Sequence, residues 1–195
     1  MQSQGQNSLH RVLNKYIPRQ VLTTKNKAKT WKYGYNEKYD VVIISKTGQI
    51  DTVMDINGLK IALPKAPKKI DSRSKKKEEQ YWEPTEISKE LSRIKSIFQW
   101  HDTPDVFKGK WVDYIEQEFD RREQGHWFMN NGTPTYVTGT HYMYLQWTKI
   151  DVGHPDFREA NRIFYIFWEA CKADKRSFGM CYLKIRRSGF SFMSS

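Results

Sequence analysis

Cysteine, long apolar runs and acidic side chains are all scarce in this sequence, and each shortage removes a class of protein. Only two cysteines occur, Cys171 and Cys181. They form no CxxC pair and have no neighbouring histidine pair, which argues against a zinc site and a disulfide framework. Two reduced thiols in a cytosolic protein is the expectation. No stretch approaches the roughly 18–20 consecutive apolar residues that a bilayer span requires. Residues Met1 to Asn7 are polar and lack the apolar core of a secretion signal. Asp and Glu number 22 against 33 Lys and Arg, a net charge of +11. So basic a surface favours an anionic partner, nucleic acid above all, over a merely solvated exterior.

Aromatic residues are abundant, at 14% of the chain with seven Trp, and the hydrophobic share is 38%. Disordered chains are poor in such residues, so most of this one is expected to fold around a real core.

Asn7 to Leu22 is compatible with a short helix broken by Pro18. From Thr30 the pattern becomes that of strands. Trp31, Tyr33 and Tyr35 alternate, Val41 to Ile44 is an apolar run, Ile50 to Met54 follows a Thr-Gly turn, and Leu59 to Leu63 follows Asn57-Gly58. These signals predict a small antiparallel β module of three or four strands within an N-terminal extension, residues 1–63. Pro64 to Gln80 is rich in Pro and Lys and reads as a basic linker, 64–80. Its Lys75, Lys76 and Lys77 are candidates for neutralising DNA phosphates, beside the plainer reading of a solvated linker.

Residues 81–195 predict helices and a hairpin. Ile87, Leu91, Ile94 and Phe98 recur at helical spacing after Pro84-Thr85-Glu86. A second helix is expected from Pro104 or Asp105 to about Gln124, with Trp111, Ile115 and Phe119 as its apolar stripe and Gly125 as its C-cap glycine. Glu116, Glu118, Asp120 and Glu123 share that helix with Arg121 and Arg122 and read as a solvated face. Asn130-Asn131-Gly132 predicts a hairpin between His126–Met129 and Thr135–Thr138. An aromatic helix or strand, His141–Trp147, follows. A third helix begins after His154-Pro155-Asp156, with Phe157, Ala160, Phe164, Phe167 and Cys171 as its stripe. It ends near Lys175, and Met180 to Ile185 reads as a strand. The fold class expected is α+β, ending in the first strand and phosphate loop of an incomplete α/β sheet.

Chemistry concentrates after that strand. On the template G-x-x-x-x-G-K-[ST], Gly189 takes the second glycine and Ser191 the hydroxyl that ligates magnesium. Lys184 stands where the first glycine belongs, and Phe190 where the lysine belongs. A phosphate loop requires backbone N–H groups converging on an anion, and a cation that reaches the β/γ-phosphates. A flexible ammonium at the loop's start can meet the second requirement. Arg186 and Arg187 add guanidinium groups suited to phosphate oxygens, and Ser188 completes the turn. The plainer reading is a basic strand end turning into a helix.

Lys184-Ile-Arg-Arg-Ser-Gly-Phe-Ser191 resembles the shifted-lysine Walker A loop of tailed-phage terminase large subunits of lambda-like phages. The segment before it, Asn131 to Leu145, the Phe157–Ala170 helix and Tyr182-Leu-Lys184, is similar to the run-up to that loop in crAss-like and other large phages. The resemblance covers roughly residues 126–195. It implies a DNA-packaging motor: a P-loop ATPase with a downstream nuclease, binding ATP and Mg²⁺ and assembling as a ring. Double-stranded DNA, the portal protein and the small terminase subunit are its implied partners. The implied location is the host cytoplasm and, transiently, the procapsid portal vertex. Carried over residue by residue, Lys184 is the catalytic cation. The ATP site is Lys184, Arg186, Arg187, Ser188, Gly189, Phe190 and Ser191, with Ser191 on the ATP-bound magnesium. Tyr142, Tyr144, Gln146 and Trp147 are candidates for packing on adenine, against the plainer reading of core residues.

ATP hydrolysis also needs an acidic strand for magnesium and a carboxylate to orient water. The sequence has neither after the loop, nor the nuclease, so the expectation is an amino-terminal piece of the motor that does not turn over ATP alone. The alternative is a non-enzymatic basic module that binds DNA or docks on a virion or portal.

Overall fold

The computed structural model describes residues 31–70, 82–84, 105–150 and 153–183. The expected helices at 7–22 and 85–98, Lys75–Lys77, and the 184–191 loop lie outside the described residues.

The described chain is α+β. Four strands open it: β1 (Gly34–Asn36), β2 (Val41–Ile43), β3 (Ile50–Ile56) and β4 (Leu59–Pro64). They form one sheet in the order β1-β2-β4-β3. Helix α1 (Asp105–Gln124), strands β5 (His126–Asn130) and β6 (Thr133–Val137), and helices α2 (Gly139–Trp147) and α3 (Glu159–Ala173) follow.

Both predicted Asn-Gly hairpins form. Asn57 and Gly58 have φ of 53° and 82°, and Asn131 and Gly132 have 46° and 73°. Left-handed values at both central residues match the twist of the flanking strands, and Asn-Gly reaches them at little cost. Asp55 Oδ1 accepts from the Gly58 N–H at 2.9 Å and pins the first turn.

The sheet is mixed, not antiparallel as the turns suggested. Strand β4 returns from its hairpin and inserts beside β2, parallel to it, with Val42 opposite Ile61 and Ile43 opposite Ala62. The Thr47-Gly48 turn therefore joins strands that are not neighbours. The reason lies in burial. Val41–Ile43 and Ile61–Leu63 are apolar on both faces, and strands covered on both sides belong in the middle of a sheet. One face carries Val42, Ile44, Ile61 and Leu63 against Tyr136, Ile166, Ala170 and Ala173. The other carries Val41, Ile43, Val53 and Ala62 beneath Trp31, Tyr39 and Ile50. Full burial of a side chain such as Ile61 stabilises by about 1.5–3 kcal/mol.

The sheet thus shares its core with α3 and β6. Arg162 reinforces the join: Nη1 donates to the Tyr136 carbonyl at 3.3 Å and approaches Met54 Sδ at 3.7 Å, while Nε and Nη2 donate to Glu159.

Helix α1 ends as its glycine indicates. Gly125 has φ of 81° and its N–H bonds to the Arg121 carbonyl at 3.0 Å. The Tyr136 hydroxyl donates to the Gln124 carbonyl at 2.7 Å, satisfying another helix-end acceptor. The buried stripe differs from the expected one. Phe119 is 58% exposed and Glu118 only 4%. Positions 111, 115, 118 and 122 lie on one helical face as naturally as 111, 115 and 119, and the aromatic partners opposite Glu118 decide between them.

On α3 the buried residues are Asn161, Phe164, Tyr165, Ile166, Ala170 and Ala173. Ala160 is exposed, and Phe167 and Cys171 are half-buried, because the helix is gripped by the sheet on one side and by aromatic rings on another. The expected strand from Met180 is not present in its described part: Met180–Leu183 pairs with no described strand, and Leu183 is 92% exposed. A strand requires a neighbour's ladder of hydrogen bonds, and none of the described strands supplies it here.

Candidate functional site

The aromatic helix α2 is positioned by local chemistry. Thr138 caps it, its side chain accepting from the His141 N–H at 3.3 Å. Gly139 lies against α1 so closely that a Cβ there would strike the Arg122 carbonyl. The absence of a side chain lets the two helices meet at that point.

Glu118 joins the helices by hydrogen bonds. The Tyr142 hydroxyl donates to its carboxylate at 2.7 and 2.8 Å, Trp147 Nε1 donates at 3.1 Å, and Arg121 Nη1 donates at 2.5 Å. A buried carboxylate is tolerated when its oxygens are satisfied and a cation balances its charge. The reading of residues 116–123 as a wholly solvated face is therefore corrected at Glu118. The missed signal was its place on the same stripe as Trp111 and Ile115.

The four adenine-packing candidates fall into two pairs. Tyr142 and Gln146 are fully enclosed. The Tyr142 ring meets Trp82 at 5.7 Å and His126 at 5.6 Å, and its hydroxyl is committed to Glu118. Tyr144 and Trp147 are half-buried. The Arg122 guanidinium lies 4.7 Å from the Trp147 ring centre, a cation–π contact that occupies Trp147. Tyr144 rests on Tyr165 at 5.9 Å with its ring tilted, and keeps part of its surface open.

Beneath Tyr144 sits a residue that the sequence reading left out. His141 is completely buried, stacked on Tyr165 at 4.8 Å and on Phe157 at 5.8 Å. Both of its ring nitrogens lack hydrogen-bond partners among the described residues. Desolvation, aided by the positive charge of Arg162, lowers its pKa to about 3, so it is neutral at physiological pH. Burial likewise raises the Tyr165 hydroxyl well above its ordinary pKa.

A run of ring contacts joins this cluster to Tyr182. Tyr165 meets Phe164 at 5.2 Å, and Phe164 meets Tyr182 at 5.0 Å. Tyr182 is two residues before Lys184. Tyr182 thus belongs to the same aromatic cluster that carries Tyr144. Among the described residues no group of three or more His, Cys, Asp or Glu could hold a metal ion. No described helix is long and apolar enough to cross a membrane.

No family model, no curated protein and no solved structure matches the chain.

Proposed function

We propose that the chain is the N-terminal part of a terminase large subunit, an ATP-driven viral DNA-packaging translocase with a downstream nuclease. What carries this reading is the segment Lys184-Ile-Arg-Arg-Ser-Gly-Phe-Ser191. It combines a loop-entry lysine, two guanidinium groups, a glycine that admits a phosphate and a serine that can ligate magnesium. The contact of Tyr182 with Phe164 supports it: Tyr182, two residues before Lys184 in sequence, lies against the aromatic cluster. In this reading Tyr144, with its partly open ring, is the favoured adenine neighbour; Tyr142 and Gln146 hold the cluster, and Trp147 is engaged by Arg122.

Lys184 neutralises the terminal phosphates, Arg186 and Arg187 clamp them, Gly189 and Phe190 shape the turn with Ser188, and Ser191 meets the magnesium of Mg-ATP. A motor of this class also needs an acidic strand for magnesium and a carboxylate that orients water. Duplex DNA, the portal, the small subunit and neighbouring copies in a ring are the partners of this motor. It works in the host cytoplasm and at the procapsid portal.

Titration with a fluorescent ATP analogue tests the reading. Binding should need Mg²⁺ and should weaken at least about tenfold in Lys184→Ala, a loss of about 1.4 kcal/mol. Equal affinity of the variant and the native chain would remove the assignment. The net charge of +11 favours one further reading, a non-enzymatic basic module that binds DNA or docks on the portal. It predicts DNA binding with no Mg-ATP binding at all.

A further inference from the structure

At the end of the sheet remote from the β1–β2 turn, a cleft of about 130 Å³ opens between two loops of the sheet and the base of the β5–β6 hairpin. Lys46 and Thr47 line it from the turn after β2, and Lys65 from the residue after β4. Trp127 and Tyr136 form its aromatic wall.

Three observations give the cleft a chemical preference. Among the described residues its lining contains two lysines and no carboxylate. Among the described residues neither lysine side chain has an ion pair or hydrogen bond, although other cations of the fold, such as Arg121, Arg162 and Arg176, are engaged by carboxylates. And both loops are pinned. The Gly48 N–H bonds to the Ser45 carbonyl at 3.3 Å, the Lys65 N–H bonds to the Gln49 carbonyl at 3.0 Å, and Ser45 Oγ donates to that same carbonyl at 2.9 Å. Thr47 Oγ1 lies 3.1 Å from Ser45 Oγ, so its hydroxyl can either remain on Ser45 or turn to a ligand.

Two like charges held at one cleft repel each other, and an anion between them relieves that repulsion. The aromatic wall lowers the local dielectric and strengthens the attraction. Whole organic ligands fill about 300–1,000 Å³, so a cleft of this size takes one compact group. Ammonium groups bind phosphate well as point charges.

We propose that this cleft is an oxyanion seat that takes a single phosphate group through Lys46, Lys65 and the Thr47 hydroxyl. It uses none of residues 184–191 and does not depend on their binding a nucleotide. The phosphate can belong to a nucleic-acid backbone or to a small free molecule, and the two sources separate by experiment.

The test uses the whole chain, native and as the Lys46→Gln/Lys65→Gln double variant, with Lys38→Gln as a control. Lys38 is an exposed lysine in the turn before β2, at the opposite end of that strand. Two probes are used: a short fluorescein-labelled DNA duplex titrated over a range of salt, and inorganic phosphate followed by calorimetry. For a backbone phosphate, the double variant weakens duplex binding several-fold and flattens the log–log salt slope by about 1, while Lys38→Gln changes the slope much less. For a free small anion, duplex binding is unchanged and phosphate affinity falls at least about tenfold in the double variant alone. The seat is overturned if neither probe separates the double variant from the native chain, or if Lys38→Gln has as large an effect. Because both lysines are exposed, a thermal melt coinciding with that of the native chain is expected and shows that the variant is folded. Lys184→Ala in parallel should leave the phosphate-seat readouts unchanged, which keeps this outcome distinct from that of the ATP test.

Discussion

The four-stranded sheet and the aromatic cluster around α2 are built on opposite principles. The sheet's interior is aliphatic: Val41, Val42, Ile43, Ile44, Val53, Ile61, Ala62 and Leu63 are buried without a charge among them. The cluster buries Glu118, His141 and Gln146 among Phe128, Tyr142, Phe164 and Tyr165. Aliphatic packing is tolerant, because a lost methylene costs little more than its own burial and the cavity it leaves. A buried polar network is not, because removing one member strands the others. Stability in the sheet should therefore track volume, and stability in the cluster should track hydrogen bonding and pH.

The largest expected effect is Glu118→Leu. It removes the carboxylate that accepts from the Tyr142 hydroxyl and Trp147 Nε1 and that pairs with Arg121. A loss of about 3–5 kcal/mol in urea unfolding is expected, with Glu118→Gln losing less because it keeps an acceptor. If Glu118→Leu unfolds within about 0.5 kcal/mol of the native chain, the network does not hold α1 to α2. Gly139→Ala comes next. Its Cβ strikes the Arg122 carbonyl, and separating the helices should cost about 1–3 kcal/mol or more; a native-like melting temperature would contradict the close approach.

Third is pH. The His141 pKa falls from 6.5 to about 3 on folding. Between those values the unfolded chain binds a proton that the folded chain refuses. The contribution is thus fully present above about pH 6.5 and is lost as pH falls toward 3, by up to about 1.4 kcal/mol per pH unit. His141→Phe should flatten the acid limb of a stability–pH curve in that window. An unchanged limb would show that His141 is not buried neutral. The smallest effect belongs to the sheet: Ile61→Val should cost about 0.5–1.5 kcal/mol with no pH dependence. A larger, pH-dependent loss would erase the contrast between the two regions.

Local chemistry was legible in the sequence, and long-range partnership was not. The turns at Asn57-Gly58 and Asn131-Gly132 and the helix stop at Gly125 follow from backbone preferences of one or two residues, so they could be read directly. The α+β class followed from the same signals. The insertion of β4 beside β2 could not be read, because it depends on which apolar strand is covered on both faces. Glu118 resembled a surface residue, since Tyr142 and Trp147 lie 24 and 29 residues away. His141 carried no signal beyond its aromatic neighbours. Of the candidate site, the proposed phosphate loop rests on the sequence pattern of residues 184–191 alone. The division of the aromatic candidates into enclosed Tyr142 and Gln146 and half-buried Tyr144 and Trp147 needed the packing of α1 and α3 around them.

Moving the lysine tests the proposed nucleotide loop most directly. Lys184→Ala should abolish most Mg-ATP binding, and adding Phe190→Lys should restore a large part of it, because the ammonium then reaches the same phosphates from the loop's other end. Contradiction would come from a Lys184→Ala chain that binds Mg-ATP as tightly as the native one, or from a double variant that gains nothing over the single one.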